Sequence, residues 1–237
     1  MKQEVQDVLD SLAAMGREQT KKTYLRHGAK EPLFGVTTGA MKPLSKQYKN
    51  NQELALALYE IGNYDAMYFA GMIVNPKIMS REIIESWMEQ AYFQGLSDYV
   101  VSVTLAETPF AEEVADTWIL HKEELYQSAG WNTYAGLLGT VKDEHFDIGK
   151  LTSMLHTVKK SIHEKPNWVR YAMNGFVIAV GISYLPLHEE ALHIAKQIGR
   201  VHVDMGKTSC NVPDAYAQIV KAKDKKRIGF KRKNVRC

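Results

Sequence analysis

Cysteine is scarce in this 237-residue chain, which has only Cys210 and Cys237. Two cysteines cannot build a disulfide framework, and they have no CxxC spacing for zinc. A reducing, cytoplasmic location is therefore expected. Long apolar runs are also missing. The longest, Gly175 to Leu187, contains Tyr184 and Pro186 and falls short of the about 20 residues needed to span a bilayer. The opening MKQEVQDVLDSLAAMG is charged through its first ten residues, unlike a secretory leader, so a soluble protein with no membrane partner is expected. Strand patterns are rare as well. Only Arg200 to Asp204, reading RVHVD, alternates clearly, which predicts a short extended excursion.

Several chemical signatures are also absent. Gly206-Lys207-Thr208 looks like the end of a P-loop, but Val201 stands where the first glycine is required. His188 and His193 are five residues apart, not the four of a zinc-protease helix. There is no GxSxG elbow and no cysteine-centred nucleophile pattern. No metal or cofactor is expected, and any chemistry falls to carboxylates and aromatic rings.

What the chain does have is helical periodicity. Leu54, Ala57, Leu58 and Ile61 recur at i, i+3, i+4 and i+7, the stripe of an amphipathic helix. Gly62-Asn63 stops it, a second helix is predicted from Tyr64 to Val74, and Ser80 is a candidate N-cap for a helix through Trp87. Further helices are predicted over 97–107, 110–127, 131–141, 147–163, 167–184 and 186–198. Phe69-Ala70-Gly71, Tyr134-Ala135-Gly136 and Tyr171-Ala172-Met173 form a faint internal echo with separations suited to helical-hairpin repeats. An ordinary helical bundle is the alternative. Residues 1–220 are expected to form one domain, with 221–237 as a basic tail.

The net charge of +3 conceals an asymmetry. Lys221 to Cys237 holds nine Lys or Arg against one Asp, a charge of +8. Residues 1–220 therefore hold 21 basic and 26 acidic side chains, a charge of −5. An acidic body with a basic end suits a polyanionic partner; a merely solvated terminus is the bland alternative.

Certain segments together carry a family resemblance. They are FGV at 34–36, ELALALYEIGNYDAMYFAGMI at 53–73, REIIESW at 81–87, Asp98, WNTYAGLL at 131–138, WVRYAMNGF at 168–176, VDMGKTSCNVPDAYAQIVKA at 203–222 and the closing GFKRKNVRC. In this order the chain resembles, over nearly its whole length, the bacterial DNA alkylation repair family of alkylpurine DNA glycosylases. The resemblance implies an all-α fold of HEAT-like helical-hairpin repeats forming a curved α-solenoid, with double-stranded DNA as partner and a monomer as the working unit. It also implies metal-independent cleavage of N3- or N7-alkylated purines. The departing base is already cationic, so the enzyme's task is to stabilise positive charge on the sugar and position a water. A carboxylate does both, and aromatic faces add about 0.5 to 2 kcal/mol each.

By resemblance, Asp98 occupies the catalytic carboxylate position. The other positions depart from the pattern. Gln94 stands where a tryptophan is expected, with Phe93 beside it; Tyr134 stands where a DNA-contacting arginine is expected; and Gly175, followed by Phe176, stands near a second tryptophan position. Trp131, Trp168 and Arg170 are further candidates for DNA contact, as are Lys225, Lys226, Arg227, Lys231, Arg232 and Lys233 of the tail. Three functions remain open: a glycosylase using Asp98, a non-catalytic binder of damaged or branched DNA, and a HEAT-like scaffold for protein.

Overall fold

The computed structural model describes residues 1–206 and 211–236. Lys207, Thr208, Cys210 and Cys237, which entered the sequence reading, lie outside the described residues. Among the described residues every regular element is a helix. The RVHVD stretch is irregular and forms no strand. Among the described residues no helix is long and apolar enough to cross a membrane.

Met1–Pro109 makes a first compact unit. It contains α1 (Lys2–Met15), α2 (Glu18–Arg26), α3 (Thr38–Gln47), α4 (Gln52–Glu60), α5 (Tyr64–Ile73), α6 (Arg81–Gln90), α7 (Gln94–Leu96) and α8 (Ser102–Leu105). The starts follow from local chemistry. Asn51, Asn63 and Ser80 each accept an N–H from the first turn of the helix they open, satisfying a donor that has no partner within the helix.

The buried face of α4 differs from the expected stripe. Leu54, Ala55, Leu58 and Tyr59 are buried, whereas Ile61 lies beyond the helix and is exposed. Tyr59 sets this face. Its ring stacks on Trp87 at a centroid distance of 4.0 Å, and its hydroxyl donates to the Trp87 carbonyl at 2.7 Å.

The FGV loop has an equally local cause. The N–H groups of Phe34, Gly35 and Val36 all donate to the Asp65 carboxylate, at 3.0 Å from Gly35 and 2.8 Å from Val36. A Cβ on Gly35, whose φ is +80°, would lie 2.5 Å from the Lys21 nitrogen, so only glycine lets the loop approach α2 this closely.

Phe110–Met205 and the C-terminal stretch make a second unit. Its helices are α9 (Ala111–Ile119), α10 (Glu124–Leu138), α11 (Ile148–Ser161), α12 (Asn167–Ser183), α13 (His188–Ile198) and α14 (Ala215–Asp224). Helix α10 packs on α9 and α12, and α12 packs in turn on α13 and α14.

The break expected between residues 127 and 131 is not there; the chain turns at 120–123 instead. Gly130, which resembles a stop signal in sequence, sits inside α10. A Cβ there would lie 2.8 Å from the Ile119 nitrogen and 2.9 Å from the Ala115 oxygen. The glycine therefore serves close helix packing rather than a turn.

Candidate functional site

Asp98 lies in the first unit on a π-helical segment, Ser97–Val101, that joins α7 to α8. Such one-turn bulges often accompany functional positions. The carboxylate is buried and accepts a hydrogen bond from the Ser97 hydroxyl at 3.1 Å. The Ser102 hydroxyl donates to the Asp98 carbonyl at 2.6 Å. Phe93 does not stand open beside it. Its ring is folded back over Gly95, where a Cβ would collide with it, and packs against Tyr64 and Tyr92.

The remaining sequence candidates lie in the second unit. Trp131 and Tyr134 are buried on α10, and both rings meet Phe176 of α12 edge-on, at 5.1 and 6.3 Å. The Tyr134 hydroxyl donates to Asp116 at 2.6 Å, and the Lys150 ammonium donates to the other carboxylate oxygen at 2.7 Å. Burial, then the neighbouring Asp116, pushes the phenol's pKa well above its usual value. These three rings are core.

Trp168 and Arg170, at the start of α12, are half-buried. The Trp168 N–H donates to Glu124 at 2.6 Å, and the Arg170 guanidinium reaches Asn167 at 3.5 Å.

The basic end is folded onto this unit. The Lys226 N–H bonds to the Lys223 carbonyl and the Arg227 N–H to the Ala222 carbonyl, the paired pattern of a Schellman cap. Lys226 takes the left-handed conformation, φ 53°, that closes it. The chain thus reverses after α14. Gly229 then donates to the Ile182 carbonyl and Arg232 to the Gly139 carbonyl, each at 2.8 Å.

A groove of about 490 Å³ opens between α10, α12, α14 and this returning segment. Its lining includes the small residues Ala135, Gly139, Gly175 and Ala179, with the Arg232 guanidinium lying against Gly139. Lys221, Lys225, Arg227, Phe230 and Arg232 are also among its lining residues. Among the described residues no carboxylate pairs with Lys221, Lys225 or Arg227. Lys223, between the first two, is instead tied to Glu189 at 2.9 Å.

The sequence reading had three of these cations, Lys225, Arg227 and Arg232. Lys226, Lys231 and Lys233 do not line the groove. Lys221 and Phe230 were missed. The four-residue spacing to Lys225 was the signal for the first, and a lone aromatic inside a charge run was the only one for the second. No group of three or more described His, Cys, Asp or Glu residues is arranged to hold a metal.

The model of the DNA alkylation repair enzyme family matches residues 8–218. The chain belongs to that family. Two of its relatives are uncharacterized proteins, from Listeria innocua at 34% identity and Listeria monocytogenes at 33%. Each match covers 92% of this chain and 97% of the relative. A solved structure at 51% identity covers 98% of this chain and 99% of its own, with a TM-score of 0.90. It is described as a new family of proteins related to the HEAT-like repeat DNA glycosylases with affinity for branched DNA structures. This member of the DNA alkylation repair family therefore has the all-α, HEAT-like repeat fold.

Proposed function

We propose that this protein binds double-stranded DNA, with a preference for branched structures, the cations that line the groove of its second unit contacting the phosphates. The observation that carries this reading is that Lys221, Lys225, Arg227 and Arg232 line one groove together with small residues. Lys221 and Lys225 are one turn apart, an arrangement of like charges that costs a few tenths of a kcal/mol in an isolated helix. A phosphate backbone offsets that cost, and small lining residues let it come close. Affinity then comes from neutralising phosphates, and base sequence goes unread. The affinity for branched DNA described for the 51%-identical protein supports the same partner.

Excision of alkylpurines is the second reading, and the buried Asp98 on its π-helical turn favours it. The carboxylate would stabilise the sugar cation and position water. Against it, Phe93, Trp131, Tyr134 and Phe176 are packed into the interior and offer no ring face to a cationic base.

Two measurements separate the readings. Replacing Lys221, Lys225 and Arg227 with Ala should reduce the steepness of log K against log salt by roughly 2 to 3, whereas Lys223→Ala should leave it unchanged. An unaltered slope in the triple variant would place the DNA elsewhere. Release of 7-methyl- or 3-methylpurines from alkylated DNA by wild type, lost in Asp98→Asn, would establish catalysis; background release from both would leave a binder.

A further inference from the structure

We infer that the groove holds one unpaired nucleotide, with its base stacked on Phe230 and its phosphates among Lys221, Lys225 and Arg227. This assignment rests on the DNA-binding reading above and names what enters the same site.

Three observations lead to it. First, the size: about 490 Å³ lies within the range of small-ligand sites. It has room for one nucleotide and far too little for a base-paired helix. Gly175 in the groove's lining would meet nothing within 4 Å even with a Cβ added.

Second, Phe230 is 65% exposed, yet its backbone is held on both sides, Gly229 by the Ile182 carbonyl and Arg232 by the Gly139 carbonyl. The ring is thus presented to solvent from a fixed backbone. It is a preformed stacking surface, and any base can use it because every base has a flat π-face.

Third, the chemistry around the ring is one-signed. Three cations without a described carboxylate partner line the groove with Phe230, which matches the alternation of flat base and anionic phosphate in a single strand. Branch points are where DNA offers such nucleotides, so selectivity for structure follows without any reading of sequence.

The test compares binding to three DNAs of matched arms: a linear duplex, a fully paired three-way junction, and a three-way junction with two unpaired nucleotides at the branch. One of the unpaired nucleotides is 2-aminopurine, whose emission falls on stacking. Wild type and Phe230→Trp should favour the junction with unpaired nucleotides and quench the probe. Phe230→Ala should bind that junction roughly 5- to 150-fold more weakly, lose the quenching, and keep wild-type affinity for the duplex. Because the side chain is exposed, the variant should fold normally, which circular dichroism checks. If Phe230→Ala keeps the preference, the nucleotide assignment fails and the DNA reading stands; if wild type binds all three alike, the nucleotide assignment and the branch preference fail and only general DNA binding stands. If wild type binds none of the three, both fail.

Discussion

The Lys231 ammonium lies 2.8 Å from the Asp143 carboxylate and donates to the Leu138 carbonyl at 2.8 Å. Both side chains are largely buried, at 20% and 25% exposure, so the pair is sheltered from the screening that weakens surface ion pairs. One of the cations that the sequence assigns to phosphate is thus an anchor for the segment carrying Phe230.

Lys231→Met should therefore act on stability more than on DNA. It keeps an apolar side chain of similar length but removes the ammonium that meets Asp143 and the Leu138 carbonyl and lies over the Phe146 ring, which should cost about 1.5 to 3 kcal/mol in urea denaturation. Amide exchange at residues 229–235 should quicken. The salt slope of DNA binding should change less than in Lys225→Ala. A normal melting curve for Lys231→Met together with a flattened salt slope would return this residue to the phosphate-contacting set.

Two glycines should respond in opposite directions. Gly130→Ala drives a methyl into the backbone of α9, an overpacking expected to cost about 1 to 3 kcal/mol. Gly175→Ala adds a methyl to open space within α12. It should stabilise by about 0.5 to 1 kcal/mol through helix propensity. Thermal melts of the two variants give the comparison, and Gly175→Trp should fill the groove and weaken binding to the junction with unpaired nucleotides.

Buried phenols set an alkaline limit on stability. Burial pushes the pKa of Tyr24 up to about 12, and raises those of Tyr59, Tyr64 and Tyr134 further. In the unfolded chain each ionises near pH 10. A folded pKa above the unfolded one means that this contribution is fully present below about pH 10. It is lost as pH rises towards the folded values. Above about pH 10 the urea midpoint should fall, by up to about 1.4 kcal/mol per pH unit for each tyrosine. Tyrosinate absorbance should appear together with unfolding. Tyr134→Phe should be less stable at neutral pH by about 0.5 to 1.5 kcal/mol, having lost its bond to Asp116, and should show a shallower alkaline decline.

Much of the helical framework was legible because its causes are local. Asn63, Ser80 and Asp147 cap helices where their side chains reach the third N–H onward, and a cap needs only a few neighbouring residues. The misplaced break at 128–130 had a distant cause, since Gly130 answers to Ile119 and Ala115 across a helix pair. The turned face of α4 likewise depends on Trp87, which lies 28 residues beyond Tyr59.

Candidate residues were harder to sort. Composition marked the basic end but could not tell Lys221 and Lys225, on the groove, from Lys223 and Lys231, neutralised by Glu189 and Asp143. Four aromatic candidates, Phe93, Trp131, Tyr134 and Phe176, turned inward, because each found ring or backbone partners that burial rewards.

The sequence by itself determined that the chain is helical, where most helices begin, which family it joins, and that positive charge collects after residue 220. Those properties are carried by neighbours along the chain, by residue order and by composition. Tertiary structure alone decided which of those charges stay available. A side chain's partner is fixed by what folding brings within a few ångströms, and Asp143 lies far from Lys231 in sequence. The same folding set Phe230 beside three of those cations in one groove, where its local sequence offered only a lone aromatic within a charge run.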